Sequence, residues 1–432
     1  MIPKGPLPIP VVPRGGKDFT WAVPGSKSLT NRALPIAALA QGKSVLSDWL
    51  ESDDTSRMKE CLTAMGAQIR SLGSDRIEVQ GMGGKVCPPA GNLFVGNSGT
   101  TVRFLAAIAA VTPGAFPFVG DSDMARRPIK DLVQALEGLG AHVECPTGCP
   151  PLTIHGEVPK KTEVSVRVDA SSQYLSGLLM AAPLCPTGLT IRLEGKLVSA
   201  PYIELTLGVM KAFGIDVQIQ GDTFIVPAGT YQTCNYTIEP DASSASYPFA
   251  AAAALGMEIT VPSLGSGALQ GDYRFSEILE ILGATVMRSV AGTTVKGPKK
   301  LRGVEVSMRH ISDTVMTLAA LAPLCSGPVI IRDIGNIRLK ETDRLQALVT
   351  ELTRLGQKVE HGQDWIAIDP QPVTPCVVEC YRDHRMAMAF AILGLCVPGV
   401  VISDPACVAK TYPGFWNDLK KLIIAKGVRP TW

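Results

Sequence analysis

Apolar and polar positions along the chain fall into blocks that recur. An apolar, helix-like run ends in glycine and gives way to β-rich residues at Gly66, Gly140, Gly214, Gly283, Gly356 and, more weakly, Gly427, with spacings of 74, 74, 69, 73 and 71 residues. A second landmark, an Ala/Leu-rich run followed by glycine and one strand, recurs at Gly42, Gly114, Gly188, Gly256, Gly327 and Gly399, with spacings of 72, 74, 68, 71 and 72. Two independent landmarks sharing one period of about 72 residues make a six-fold repeat that fills the chain.

Each copy can be read for elements. The Ala/Leu-rich run predicts a buried helix, and its glycine supplies the left-handed residue just past the helix end. One strand follows, then a polar loop, a second helix such as 129–139 or 276–282, and two strands separated by turn residues. The copy therefore reads helix–strand–helix–strand–strand. Six copies are too many for one core, so the expected division is three plus three in two α/β domains, 24–240 and 1–23 plus 241–432. The shortest interval lies between the third and fourth copies and places the crossover near 235–243. The β-rich N-terminal stretches, IPVVP and FTWAV, precede the first helix and are placed to complete a strand of the second domain.

Composition narrows the class. Of 432 residues 46% are hydrophobic and 19% charged, which suits a large buried core and excludes disorder and coiled coil. Forty-one Lys plus Arg against 39 Asp plus Glu leave a formal charge of +2, so any basic site is local and a dedicated nucleic-acid binder is not expected. The 11 cysteines are scattered, several in apolar runs, as buried thiols of a reducing compartment would be. No signal-like segment opens the chain, and its most apolar stretches are broken by Pro and Gly.

The polar residues gather at two loci of the repeat. Short clusters open the first helix of each copy: PGSKS at 24–28, GNSGTT at 96–101, DASSQ at 169–173, DASSAS at 241–246, SD at 312–313 and DHR at 383–385. Helix N-capping accounts for any one of them. Lys27, Arg32, Arg103 and Arg385 nevertheless stand in the first turns, where a cation opposes the helix dipole at a cost of roughly 0.3–1 kcal/mol. Such cations fit helix N-termini that receive anions. The second locus, between strand and second helix, holds SDD at 52–54, DMARRP at 123–128, SAPY at 199–202, GDYR at 271–274, NIRLKETDR at 336–344 and AKTYP at 409–413. Lys340 and Arg344 read there as a like-charged i,i+4 pair at a helix start, which is mildly destabilising. Arg127 before Pro128 is held extended. Lys27, Arg32, Arg127, Lys340, Arg344, Arg385 and Lys410 together predict a cleft far more positive than the net charge, suited to phosphate or carboxylate ligands. Asp313 and Glu341 lie at the same loci and are the acid–base candidates, ionised among these cations, with Lys27 placed to share a proton. His142, His155 and His361 fall in hairpins; His310 and His384 fit core roles as well as a site. No Walker loop, HExxH, dinucleotide fingerprint or nucleophile elbow is present.

In this order PGSKSLTNR (24–32), GNSGT (96–100), RPI (127–129), SSQ (171–173), DASSASY (241–247), KETDRL (340–345), DHRMAM (383–388) and AKTYP (409–413) resemble the successive motifs of the 5-enolpyruvylshikimate-3-phosphate synthases. The resemblance implies two domains of three βαβαββ units each, an inside-out α/β barrel with six-fold pseudo-repeat that closes by a hinge over a central cleft. It implies transfer of the enolpyruvyl group of phosphoenolpyruvate to the 5-hydroxyl of shikimate 3-phosphate, without metal or organic cofactor. By motif, Lys27, Ser28, Arg32, Ser171, Ser172, Ser199 and Tyr202 would hold shikimate 3-phosphate, with Gln173 bridging towards the second ligand. Gly99, Arg127, Arg344, Arg385 and Lys410 would hold phosphoenolpyruvate, and Thr100 is among the substrate-binding residues. Asp313 would accept the hydroxyl proton and Glu341 take part in protonating the methylene. Lys27 and Lys340 would assist, and Lys340 and Asn336 would lie near the shikimate ring. A cytoplasmic monomer with small-molecule substrates, and no nucleic-acid or membrane partner, is the matching expectation. Gly99 has the form in which glyphosate fits, so micromolar competition with phosphoenolpyruvate is expected.

The spelling departs from the family at Phe104, where Pro is frequent, at Pro240 before Asp241, where Gly is common, and at Thr101–Val102. A related transferase acting on UDP-N-acetylglucosamine normally carries a catalytic Cys in the loop matching 120–128, and this loop has none. A non-catalytic clamp around a polymer would spread its cations over one face and need no acids among them, unlike the loci found here.

Overall fold

The computed structural model describes residues 3, 5–430 and 432; positions 1, 2, 4 and 431, assigned above to the second domain, lie outside the described residues. The chain divides into two compact units, one of Gly25–Glu239 and one of the N-terminal segment to Pro24 together with Pro240–Trp432.

The Gly25–Glu239 unit contains helices α1 (Lys27–Leu39), α2 (Asp53–Ala64), α3 (Gly99–Ala110), α4 (Lys130–Leu139), α5 (Gln173–Ala181) and α6 (Pro201–Ala212). Its three sheets have four strands each. In the middle one, Leu93–Gly96 runs parallel to Gly114–Gly120, which pairs antiparallel with Leu152–Gly156, and that strand with His142–Glu144. The other two repeat this order, with Asn235–Thr237 supplying the parallel edge beside Lys43–Ser47 and Glu163–Arg167 the one beside Leu189–Glu194. α3 is buried at every position, whereas α4 buries one face. An all-round apolar helix belongs inside a core, and an amphipathic one covers it.

The second unit contains α7 (Ala242–Leu255), α8 (Phe275–Ile281), α9 (Val315–Leu321), α10 (Arg344–Arg354), α11 (His384–Gly394) and α12 (Phe415–Ala425). α7, α9 and α11 are buried throughout, and α11 packs against both α9 and α7. Two of its sheets repeat the four-stranded order; Phe19–Thr20 supplies the parallel edge of one, beside Glu258–Pro262. The last sheet has three strands, in which Leu7–Pro8 pairs antiparallel with Val400–Ile402. The N-terminal stretches thus enter two different sheets of this unit. Trp21 is held there by its Nε1 donating to Tyr412 Oη at 2.9 Å.

Two details of the repeat differ from the reading above. Each copy begins with a strand before its inner helix, giving strand–helix–strand–helix–strand–strand. These strands are short, as at Asn235–Thr237 and Cys376–Val378, and carry no clear alternation. The sixth copy has no closing hairpin after Gly427 among the described residues, and Leu7–Pro8 takes the position of a hairpin strand. All six glycines of the first landmark have positive φ, and so do those of the second except Gly327. At Gly327 the close approach is made by the facing Gly303, whose Cβ would lie 2.6 Å from the Pro328 carbonyl oxygen.

Candidate active site

In the Gly25–Glu239 unit the polar clusters cap the inner helices. Ser26 caps α1, its side chain accepting from Leu29 N, and Ser98 caps α3, accepting from Thr101 N. Lys27, the first residue of α1, has its Nζ 3.7 Å from Asp54 Oδ2. Ser28 follows, its carbonyl accepting from Arg32 Nη1 at 2.8 Å. Arg32 is only 1% exposed. Its Nε donates to Thr206 Oγ1 at 2.8 Å, and its Nη2 to the Tyr202 carbonyl at 3.1 Å and Ser176 Oγ at 3.4 Å. Burial lowers its pKa to about 10, with Tyr202 acting the other way.

Asn31 Nδ2 donates to Thr100 Oγ1 at 2.8 Å and joins α1 to the first turn of α3. Gly99 opens α3 directly under Arg127: a Cβ there would lie 2.7 Å from Arg127 Nη2. Arg127 is extended, as its place before proline requires, and its Nη1 donates to the carbonyl and the Oδ1 of Asn97 at 3.0 and 3.1 Å. Ser171 Oγ accepts from Gln173 N, Ser172 is buried just ahead of α5, and Gln173 Oε1 accepts from Arg103 Nη1 at 2.7 Å. Ser199 is buried with φ of 53°, and Tyr202 N returns to its carbonyl at 3.0 Å. The candidate residues of this unit are thus linked across α1, α3, α5 and α6. Two capped helix N-termini, each with a cation beside it, have the chemistry suited to phosphate or carboxylate.

The second unit is organised by Arg344, 1% exposed at the start of α10. Its Nε donates to Asp383 Oδ2 at 2.7 Å, its Nη1 to Asp313 Oδ1 at 3.1 Å and its Nη2 to Glu341 Oε2 at 2.7 Å. Burial opposes its charge, and Asp383, Glu341 and Asp313 outweigh burial, so the guanidinium is held above its usual value. Asp313, in the turn before α9, also accepts from Arg385 Nη2 at 2.8 Å and lies 3.6 Å from Lys340 Nζ. Glu341 lies 3.9 Å from Lys410 Nζ, and Asn336 Nδ2 donates to Ser312 Oγ at 3.1 Å. Three carboxylates share one fixed guanidinium, and two of them, Asp313 and Glu341, have an amine within reach. Such an array can take up and return protons at defined atoms.

One expectation changes here. Lys340 is not in a helix: it ends a 3-10 turn, and α10 starts at Arg344 behind its Asp343 cap, so the like-charge helix argument does not apply. As expected, Asp313 and Glu341 stand among Lys340, Arg344, Arg385 and Lys410, and Asp383 and Asp272 join them.

The sequence reading singled out neither Asp272 nor Asp383. Asp383 caps α11, accepting from Arg385 N at 2.9 Å, and pins Arg344. Asp272 accepts from the Ser243 hydroxyl; burial, then the charge of Asp313, raises its pKa to about 6, against Arg385 and the Ser243 bond. Both lay inside the polar clusters quoted above, but nothing in the spelling marks one capping acid from another. His384 is wholly buried, its Nδ1 3.6 Å from Asp383 Oδ1.

The chain was compared with known families and structures. The family model described as EPSP synthase (3-phosphoshikimate 1-carboxyvinyltransferase) matches residues 20–419. A 3-phosphoshikimate 1-carboxyvinyltransferase of Nostoc sp. is 44% identical over 411 residues, covering 94% of this chain and 97% of the relative. One of Vibrio atlanticus is 42% identical over 410 residues, covering 93% and 96%. Among solved structures, an EPSP synthase of Acinetobacter baumannii superposes with a TM-score of 0.81 at 24% identity over 99% of both chains. The enolpyruvyl transferase NikO of Streptomyces tendae does so with 0.77 at 18%, covering 97% of this chain and 98% of that one. These two likenesses show the two-domain inside-out α/β fold. With the family model spanning nearly the whole sequence and curated relatives above 40% identity, the chain belongs to the EPSP synthase (3-phosphoshikimate 1-carboxyvinyltransferase) family.

Proposed function

We propose that this chain transfers the enolpyruvyl group of phosphoenolpyruvate to the 5-hydroxyl of shikimate 3-phosphate, in the shikimate route to chorismate and aromatic amino acids. The observation that carries this reading is the pairing of Asp313 and Glu341 on one buried guanidinium. Arg344 fixes both carboxylates, so proton transfer needs little reorganisation. In the first step the 5-oxygen bonds to C2 of phosphoenolpyruvate, C3 gains a proton, and the hydroxyl proton passes to Asp313. Glu341 takes part in delivering the proton to C3, with Lys27 and Lys340 assisting. The resulting tetrahedral intermediate then loses phosphate from C2 and a proton from C3, restoring the double bond.

Lys27, Ser28, Arg32, Ser171, Ser172, Ser199 and Tyr202 hold shikimate 3-phosphate, with Gln173 beside them and Asn336 and Lys340 near the ring. Gly99, Thr100, Arg127, Arg344, Arg385 and Lys410 hold phosphoenolpyruvate. The network around Arg127 supports its part: Asn97 fixes the guanidinium and Gly99 leaves the room it occupies. The enzyme acts as a cytoplasmic monomer on small molecules. No helix among the described residues is long and apolar enough to cross a membrane.

Phosphate release from phosphoenolpyruvate tests the reading, with shikimate 3-phosphate and UDP-N-acetylglucosamine as parallel acceptors. Release with shikimate 3-phosphate alone is the expected outcome. Release with the nucleotide sugar, or with neither acceptor in folded protein, overturns it.

A further inference from the structure

Arg32 is the one proposed ligand-binding cation of its unit that is wholly buried and has no acid beside it. Among the described residues no carboxylate pairs with it, and its hydrogen-bond acceptors are the neutral Thr206 and Ser176 hydroxyls and the Ser28 and Tyr202 carbonyls. A guanidinium carries five N–H donors, and these bonds engage four, leaving one N–H on Nη1. A buried cation without a counter-charge loses much of its hydration and needs another source of stabilisation. Two aromatic rings supply it. The Arg32 Cζ lies 5.2 Å from the centroid of Phe104 and 5.8 Å from that of Tyr202. Both distances are within the range in which a ring face attracts a guanidinium. Phe104 is 0% exposed, so the ring is fixed and its contact with the cation is not diluted by water.

An aromatic face differs from a carboxylate in what it leaves behind. A carboxylate would neutralise Arg32 and compete with an incoming anion. A ring quadrupole stabilises the cation while its full charge remains to act on a ligand. We infer that Phe104 is a positioning residue for shikimate 3-phosphate: its ring holds the Arg32 guanidinium in place, charged and without a counter-ion, for the substrate's anionic groups. The inference rests on the assignment of Arg32 to that substrate. Phe104 follows the Gly99 loop in sequence, but its ring meets the cation assigned to the other ligand.

The test uses the full-length enzyme with Phe104→Leu, which keeps an apolar group of similar bulk and removes the ring. Alongside it, phenylalanine at 104 is replaced by mono-, tri- and pentafluorophenylalanine, which keep the ring shape while progressively draining its negative face. The readouts are kcat, KM for each substrate, the dissociation constant for shikimate 3-phosphate by calorimetry, and the urea midpoint. The expected result for Phe104→Leu is about a ten-fold rise in KM and Kd for shikimate 3-phosphate. Its KM for phosphoenolpyruvate stays within about two-fold. Across the fluorinated series, log Kd for shikimate 3-phosphate climbs steadily with fluorine number while the KM for phosphoenolpyruvate shows no such trend. A role in packing alone predicts no trend with fluorination, and that result overturns the inference. So does a change confined to the KM for phosphoenolpyruvate. Absence of turnover in the unmodified enzyme would instead overturn the function proposed above, so the two failures are distinct.

Discussion

Replacing Gly99 by alanine should separate binding from folding. The added Cβ would lie 2.7 Å from Arg127 Nη2 and 2.9 Å from its Cζ, where ordinary contact begins at 3.4 Å. The guanidinium therefore retreats by about 0.7 Å. Its two bonds to Asn97, at 3.0 and 3.1 Å, are made by Nη1, and a guanidinium shift of that size strains them towards the limit of about 3.5 Å. A hydrogen bond to a charged group contributes about 1.5–3 kcal/mol, so losing a correctly placed Arg127 contact weakens phosphoenolpyruvate by about ten- to a hundred-fold. The atoms that must move are the far end of a flexible side chain, and Gly99 has no positive φ, so the fold should not suffer. Gly→Ala at a compatible helical position stabilises by about 0.4–1 kcal/mol through the unfolded chain. Steady-state kinetics and urea unfolding on Gly99→Ala should show a raised KM for phosphoenolpyruvate, an unchanged KM for shikimate 3-phosphate and an unchanged or higher urea midpoint. An unaltered KM for phosphoenolpyruvate, or a loss of affinity that tracks a loss of stability, would refute the reasoning.

Three further outcomes follow from the charges and thiols. Arg344→Met leaves Asp383, Glu341 and Asp313 without their shared cation, which should cost about 3–5 kcal/mol and lower the urea midpoint; a midpoint equal to the parent's would contradict the network. Asp272 has a folded pKa of about 6, above the unfolded value of about 3.9, so the native state favours its protonated form. Its contribution is intact below about pH 4 and is lost as pH rises towards 6, so Asp272→Asn should gain stability relative to the parent across that window. Paired urea midpoints between pH 4 and 7.5 check this, and a pH-independent gap counts against it. Cys87 is the exposed thiol, whereas burial pushes Cys61 and Cys325 to about 12, so native alkylation at pH 8 followed by peptide mapping should label Cys87 first and leave those two unmodified.

Much of the architecture was written in local patterning. Glycines that end helices recur every 68 to 74 residues because each copy must stop a helix at the same point, and all those stops but Gly327 take left-handed backbone that a side chain would strain. Apart from FTWAV, whose Phe19–Thr20 forms a strand, the opening strands were not visible. Asn235–Thr237 is three residues long and is fixed by pairing with Lys43–Ser47, some 190 positions away, not by its own pattern. The candidate site divides similarly. Lys27, Arg127, Asp313 and Glu341 could be named from the clusters they sit in. What surrounds each could not, since Arg344 meets Asp313 and Asp383 across 31 and 39 positions, and Arg32 meets Phe104 across two helices. Lys340 was misplaced because a 3-10 turn and a helix start share the same local spelling, and the Asp343 cap decides between them.

Turnover in deuterium oxide tests the central claim most directly. Addition followed by elimination makes C3 a methyl group for an instant, so one of its protons comes from the solvent-exchanged enzyme. The product of phosphoenolpyruvate and shikimate 3-phosphate, read by proton NMR, should carry deuterium in its enolpyruvyl methylene, and both phosphate release and deuterium entry should collapse together in Glu341→Gln. Product formed without deuterium, or deuterium entry undiminished in Glu341→Gln, would contradict the account.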